Sequence, residues 1–171
     1  YKAVWTPNIY QISLDPNGGN VVEGDLATRT ITFGEAYGSL PVMEKENYTF
    51  EGWYTDKTGG SKLTETSAVE LGHDHVIYAQ YKPIEFTITY YGTEDAQNDN
   101  PETYNVETGL FSLEKASRRG YTFEGWYDNE NLEGEEVRAV SANETGNKTF
   151  YAKWRENHYK IVYHSNEGKG Y

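Results

Sequence analysis

A seven-residue aromatic sequence, YTFEGWY, occurs twice in this chain, at residues 48–54 and again at residues 121–127. Sliding the chain on itself by that spacing (121 − 48 = 73) also superposes residues 78–81 on residues 151–154 and residues 39–40 on residues 112–113. The segments that precede the heptads, residues 10–14 and 86–90, match at a spacing of 86 − 10 = 76. The loop after the first strand is therefore three residues longer in the first copy, and the chain is organised as a tandem repeat.

The repeat pattern predicts where each copy begins and ends. Residues 9–82 form the first module and residues 83–155 the second, while residues 1–8 resemble the tail of a preceding copy and residues 156–171 the start of a following one. We therefore expect a piece of a longer tandem array. The junctions, residues 82–84 and 155–157, contain no Gly/Ser tract, and such short joints favour an extended arrangement over independently tumbling modules.

Within one module the apolar residues alternate with period two, which is typical of strands. Tyr10, Ile12 and Leu14 share one face, and the turn residues 15–19 follow them. The same pattern predicts further strands at residues 28–33, 48–54 and 76–81. Residues 39–46 fit either one helical turn or a loop, and residues 61–71 are similarly ambiguous. Four strands with one short crossing segment predict a small, mostly β domain of the α+β class.

The heptad can be the core strand of each module or an exposed aromatic platform. Plain alternation would place Trp53 on the face opposite Phe50 and leave it in water. A bulge at Glu51 and Gly52 would return Trp53 to the side of Phe50, and a glycine inside a strand often marks such a site. We predict the bulge, with Glu51 and Glu124 facing water. The predicted structural signature of the core comprises Tyr48, Phe50, Gly52, Trp53, Tyr78, Tyr121, Phe123, Gly125, Trp126, Tyr151 and Trp154.

The motifs of the second copy resemble those of the Listeria–Bacteroides repeat, an internalin B-repeat-like module of bacterial surface proteins. The resemblance is carried by residues 119–127 (RGYTFEGWY), 146–149 (GNKT) and 151–154 (YAKW). The first copy departs from the pattern at Asn47, where the motif prefers glycine, and at Tyr81, where it prefers tryptophan. The resemblance implies a β-grasp, ubiquitin-like fold in an extracellular protein of the bacterial cell surface, with a spacer or adhesive role and no catalytic residues.

Charge and composition exclude several classes of protein. The formal net charge is −12, so phosphate backbones would be repelled and nucleic acid is not an expected partner. The absence of cysteine removes disulfides, thiolate nucleophiles and zinc–sulfur sites. No apolar run reaches the length of a membrane helix, and no signal peptide is visible. We therefore expect no membrane insertion within this fragment.

Three clusters of polar side chains could carry chemistry. His73 and His75 lie one residue apart and could share a metal ion, but the second copy has Gly146 and Lys148 at these positions. Residues 94–100 are rich in oxygen ligands but lack the spacing of an EF-hand calcium loop. Arg118 and Arg119 precede a glycine, which is typical of a solvated turn. We expect no metal and no cofactor.

The acids and the nucleophiles give no clear active site. Glu51 and Glu124 are the only acids kept within the heptad of both copies, and one acid per module on a strand does not make a paired-carboxylate site. The sequence contains no nucleophile elbow and no phosphate-binding glycine loop. We therefore expect that the chain is not an enzyme.

Three hypotheses for function follow. In the first, the modules are a stalk or spacer whose partners are the neighbouring repeats of the same chain. In the second, they are an adhesin that binds a host protein or glycan through exposed aromatic side chains. In the third, they are accessory repeats of a larger extracellular enzyme. The first is favoured because both copies keep strand and turn residues, whereas the loops, which usually carry specific contacts, differ.

Overall fold

In the computed structural model, which describes residues 1–163, the chain divides into two compact units, Tyr1–Ile84 and Glu85–Tyr171. Each unit is built from strands and turns, and residues 1–163 contain no helix. The predicted β content is confirmed, whereas the helical part of the predicted α+β class is not present in these residues. Residues 39–46, where one helical turn was an alternative, contain a short strand instead.

Unit 1 holds one five-stranded sheet in the order β3-β1-β7-β5-β6, and a separate pair of strands, β2 and β4. The central strand β7 runs parallel to β1 and antiparallel to β5. The strands are β1 (Ile9–Asp15), β2 (Asn20–Glu23), β3 (Arg29–Thr32), β4 (Val42–Glu44), β5 (Tyr48–Tyr54), β6 (Lys62–Leu63) and β7 (His75–Pro83).

Unit 2 repeats this arrangement with shorter peripheral strands. Its four-stranded sheet has the order β11-β13-β8-β9, in which β13 is parallel to β8 and antiparallel to β11, and β10 pairs with β12. The strands are β8 (Phe86–Tyr91), β9 (Thr103–Tyr104), β10 (Phe111–Ser112), β11 (Tyr121–Tyr127), β12 (Ala139–Val140) and β13 (Lys148–Glu156).

The predicted turn after the first strand is a tight reverse turn. Gly19 N donates to Pro16 O over 2.9 Å, and Asn17 and Gly18 between them have φ values of 47° and 84°. Two successive positive φ values define a type I′ turn, which suits asparagine followed by glycine. The Tyr81 hydroxyl also donates to Pro16 O, over 2.8 Å, so the turn is anchored to the central strand.

Each unit has its own apolar core. The alternation predicted for the first strand is confirmed, because Ile12 and Leu14 are buried in β1 and the alternate residues Gln11 and Ser13 face water. The core of unit 1 comprises Ile12, Leu14, Ile31, Tyr37, Met43, Trp53, Leu63, Val69, Ile77 and Ala79. The core of unit 2 comprises Ile88, Tyr104, Ala116, Trp126, Val140, Phe150 and Ala152.

Residues 1–8 and 157–163, at the two ends of the described part of the chain, form no strand. Residues 1–8 are exposed, and residues 158–163 are exposed and unpaired. Residues 159–163, which match the first strand of the modules in the repeat pattern, form no strand. Residues 164–171, which complete this predicted segment, lie outside the described residues.

Candidate functional site

The two heptads are strands β5 and β11, and each contains the predicted bulge. In β5, Phe50 is aligned with Tyr81 of β7, but the next aligned residue is Gly52, opposite Gln80, so Glu51 is the extra residue. In β11 the register shifts in the same way between Phe123 and Gly125. The prediction of a bulge is thus confirmed in both copies.

The bulge turns both heptad tryptophans into the core. Trp53 is 2% exposed and Trp126 is 1% exposed. Their indole nitrogens each donate to a backbone carbonyl, Trp53 Nε1 to Pro41 O over 2.8 Å and Trp126 Nε1 to Glu114 O over 2.9 Å. A buried indole N–H needs such an acceptor. The heptad tryptophans therefore build the modules and are not available to an external ligand.

The phenylalanine of each heptad packs against the tryptophan of the same strand. The ring centroids of Phe50 and Trp53 are 6.4 Å apart, and those of Phe123 and Trp126 are 5.1 Å apart, both with edge-to-face geometry. Trp154 adds a third ring in unit 2, with its centroid 5.2 Å from that of Phe123. Phe50, Phe123 and Trp154 are all partly buried and packed on their cores.

The tyrosines of the predicted core signature lie elsewhere. Tyr78 and Tyr151 are only partly buried and are not members of the core clusters, because Ile77 and Ala79 of β7, and Phe150 and Ala152 of β13, take the core face of the central strand. Period two then directs both tyrosines to the opposite face of the sheet. Tyr48 and Tyr121 are also partly buried. A cationic side chain covers each of them, Lys45 Nζ at 4.2 Å and the Arg118 guanidinium at 4.3 Å from the ring centroid.

The opposite face of unit 2 carries a row of three tyrosines. Tyr127, Tyr151 and Tyr91 are aligned on the neighbouring strands β11, β13 and β8. The rings of Tyr91 and Tyr151 are stacked, with centroids 5.2 Å apart and an interplanar angle of 17°, and Tyr91 is 49% exposed. Unit 1 has Tyr54 and Tyr78 in the matching positions, but Asp15 where unit 2 has Tyr91.

The histidine pair is held by hydrogen bonds within the protein. His75 Nδ1 lies 2.9 Å from the carbonyl oxygen of His73, and His75 Nε2 lies 2.9 Å from the hydroxyl of Tyr37. A carbonyl can only accept, so Nδ1 donates to it and Nε2 accepts from Tyr37, which leaves no lone pair for a metal. Asp74 Oδ1 accepts from Gln11 N over 2.8 Å. In the part of the chain described, no group of three or more His, Asp or Glu side chains could hold a metal ion.

The oxygen-rich loop, residues 94–100, is a structural element centred on Asn100, a polar residue that is 7% exposed. Asn100 Nδ2 donates to Glu114 O over 2.8 Å, and Asn100 Oδ1 accepts from Glu114 N over 2.6 Å. The carbonyl of Glu114 also accepts from the Trp126 indole. Asn100 therefore ties this loop to the segment that holds the heptad tryptophan. The sequence offered no sign of this role, because many similar polar residues surround Asn100.

The remaining charged candidates also make contacts within their unit. Arg118 Nη2 lies 3.5 Å from Asp95 Oδ2, and Arg155 Nε lies 2.9 Å from Glu124 Oε1. Glu51 and Glu124 are exposed, as predicted. Glu144 and Lys148 form an ion pair, and this hydrogen bond lowers the pKa of Glu144 and raises the pKa of Lys148. No helix of residues 1–163 is long and apolar enough to span a membrane.

The sequence pattern of the Listeria-Bacteroides repeat domain matches the chain twice, over residues 10–80 and 86–153. This chain belongs to that family. The two matches enclose the bulged heptads and most of the central strands β7 and β13, so the family pattern covers the residues that form each core.

Several longer proteins contain related repeats. The chain is 30% identical over 172 residues to a protein of Evansella cellulosilytica whose name describes it as a Gly-rich membrane protein, and the match covers 97% of this chain. It is 31% identical over 139 residues to Internalin H of Listeria monocytogenes, over 80% of this chain. The matched region makes up only 18% of the first relative and 24% of the second.

Proposed function

We propose that these Listeria-Bacteroides repeats are non-catalytic modules of a bacterial surface protein and act as a stalk. The observation that carries the proposal is that both copies bury the heptad tryptophan in the same bulged strand, so the repeated heptad serves the fold. The similarity to a named membrane protein and to Internalin H supports an extracellular location on the cell surface. Since the region matched by this chain makes up about a fifth of each relative, a supporting segment fits better than a complete functional protein.

We also propose that each unit is a β-grasp domain, with module boundaries at residues 9–82 and 83–155. The support is the sheet order of unit 1, in which the last strand β7 lies at the centre, parallel to β1 and antiparallel to β5. Unit 2 has the same central arrangement of β8, β13 and β11. In both units, strands and loops occupy the connection where a β-grasp domain commonly has a helix.

The chain is held by hydrogen bonds on both sides of the junction, which supports a stalk. In unit 1, Ile84 N donates to Asn47 O over 2.9 Å, directly after β7. In unit 2, Glu85 Oε1 accepts from Asn105 Nδ2 over 2.6 Å, directly before β8. The corresponding bond at the end of unit 2 joins Asn157 N to Gly120 O over 2.8 Å. Hydrogen bonds therefore reach the last residue of unit 1 and the first residue of unit 2.

Small-angle X-ray scattering tests the stalk. A compact globule of 171 residues has a radius of gyration of about 16 Å, whereas two modules of this size set end to end are expected to give roughly 19 Å or more. We expect the larger value, unchanged between low and moderate salt if short joints rather than repulsion keep the modules apart. A radius of gyration near that of the globule would contradict the stalk.

The adhesin remains a second candidate, and one observation favours it. Burial of both heptad tryptophans removes the surface on which this hypothesis first depended. The exposed Tyr91 beside Tyr151 in unit 2 is the aromatic surface that remains on a sheet. A host protein or glycan is the partner this candidate requires, and binding of the chain to a glycan array would support it.

A further inference from the structure

A polar groove lies along the open edge of β8 in unit 2. Its volume is about 520 Å³, which is within the range of small-ligand sites. The side chains that line it include four threonines, one amide and one carboxylate: Thr87, Thr89, Thr93, Asn98, Glu102 and Thr103.

The groove exists because the edge strand of unit 2 is short. Strand β9 has two residues, which pair with Phe86 and Thr87, whereas β3 in unit 1 has four residues paired with β1. Beyond this pairing, Ile88 N donates to Glu102 O over 2.7 Å. Because backbone groups alternate along a strand, the N–H of Tyr90 faces the same open edge as that of Ile88. β9 does not pair with the rest of this edge, and the groove lies along it.

The lining offers several hydrogen-bonding groups that the protein does not use. Within residues 1–163, the hydroxyls of Thr87, Thr89 and Thr103 and the carboxylate of Glu102 form no hydrogen bond. Tyr90 also lines the groove and is partly buried. An aromatic residue beside a row of hydroxyl, amide and carboxylate groups matches the alternating apolar and hydroxyl faces of a sugar.

We propose that this groove binds a neutral saccharide. The net charge of −12 and the carboxylate of Glu102 disfavour an anionic ligand, and one carboxylate is too few for a tightly held cation. An added β-strand needs a longer row of free backbone groups than β8 presents beyond β9. The proposal deepens the adhesin candidate and is independent of the stalk, so the scattering result and the binding result can fail separately.

The test is an NMR titration of the 15N-labelled chain with three neutral probes: cellohexaose, maltohexaose and N-acetylchitohexaose. At about 10 mM of probe, a site with a millimolar Kd is mostly filled. We expect at least one probe to produce saturable shifts of the backbone amides that line the groove. A hexathreonine peptide, added separately, tests strand pairing at the same edge.

Substitutions in matched positions of the two units provide the control. Thr103→Arg places a long side chain in the groove and should weaken binding by more than about tenfold. Thr30→Arg changes the exposed threonine at the corresponding position of β3 (103 − 73 = 30) and should leave binding unchanged. If Thr103→Arg disturbs the Trp126 indole signal, Thr89→Arg replaces it, with Ser13→Arg as its counterpart (89 − 76 = 13).

The proposal is overturned if none of the three sugars causes saturable shifts, or if the shifts lie away from the groove. It is also overturned if Thr30→Arg weakens binding as much as Thr103→Arg does. Saturable shifts with hexathreonine and none with the sugars would assign this edge to strand pairing and overturn the saccharide site.

Discussion

At the scale of single residues, two separate constraints fix the glycine of each heptad. Gly52 and Gly125 have φ values of 131° and 140°, a region that residues with a Cβ rarely adopt. A Cβ at Gly125 would also lie 2.7 Å from Cγ of Glu136, and one at Gly52 would lie 2.8 Å from Cε of Lys62. The bulge therefore depends on glycine for its backbone shape in both copies, and the close neighbour adds most at Gly125, because at Gly52 it is the flexible end of Lys62, which can move aside.

Substituting this glycine tests the bulge. Gly125→Ala should lower the free energy of unfolding of unit 2 by about 2–3 kcal/mol, because strain and a steric clash add. Gly134→Ala is the matched control, since Gly134 also has positive φ (89°) but has open space around it, and it should cost about 1 kcal/mol. Urea unfolding followed by NMR signals of unit 2 measures both. Equal losses would show that the close approach to Glu136 contributes nothing.

Tyr90 makes the stability of unit 2 depend on pH in the alkaline range. Burial, and to a smaller extent the charge of Glu102, raise the pKa of Tyr90 to about 12 from the ordinary value of 10.0. The neutral phenol is therefore favoured by folding. Its contribution to stability is complete below pH 10 and is lost as the pH rises from 10 to 12.

Replacing Tyr90 by phenylalanine should remove this pH dependence. At pH 8 the variant should be less stable than the parent by about 1 kcal/mol, because the hydroxyl no longer donates to Pro101 O. Between pH 8 and 11 the parent should lose stability at this residue, and the variant should not. Phe86→Leu, a packing change in the same strand without a titratable group, should cost the same at both pH values. A parallel decline of Tyr90→Phe and parent would contradict the assignment.

At the scale of secondary structure, the long strands were predictable and the short ones were not. The heptad predicted the bounds of β5 and β11 and also their bulges, because seven residues with one glycine carry a clear pattern. Strands β6, β9, β10 and β12 have two residues each, too few to show alternation. The face of Tyr78 and Tyr151 was missed because Ile77 and Ala79, or Phe150 and Ala152, compete for the core. The groove was not predictable, because it depends on which strand lies beside β8, and the spacing of residues along the chain does not reveal strand order.

Asn100 is the clearest case of a loop residue that supports a strand. Its side chain accepts from and donates to the backbone of Glu114, whose carbonyl also accepts from Trp126. Unit 1 has Pro41 at the position of Glu114, and a proline has no N–H to offer to such an asparagine (114 − 73 = 41). The two units thus anchor the heptad tryptophan with different loops.

Removing the Asn100 side chain should destabilise unit 2 specifically. Asn100→Ala leaves Glu114 N without its acceptor and should cost about 1–3 kcal/mol. Asn131→Ala, an exposed asparagine of the same unit, should stay within about 0.5 kcal/mol of the parent. Amide hydrogen exchange of β11 reports both changes. Unaltered protection of β11 in Asn100→Ala would show that the loop does not support the strand.

At the scale of the whole molecule, the two repeats keep their cores and vary their surfaces. Both bury a bulged heptad against a central strand, but they differ in the loop after the first strand, in the residue aligned with Tyr78 or Tyr151, and in their short strands. A repeat under selection for a stalk needs a constant core and a constant joint. A single copy that carries a groove, as unit 2 does, could add binding without changing the stalk.

Residual dipolar couplings of the whole chain test the stalk most directly. They give an alignment tensor for each unit, so they report whether the hydrogen bonds of Ile84 and Glu85 hold the joint. We predict that one common tensor fits the backbone N–H couplings of both units, and that inserting four glycines after Ile84 separates it into two tensors of different magnitude. Two different magnitudes in the parent chain would show modules that reorient independently and would contradict the stalk.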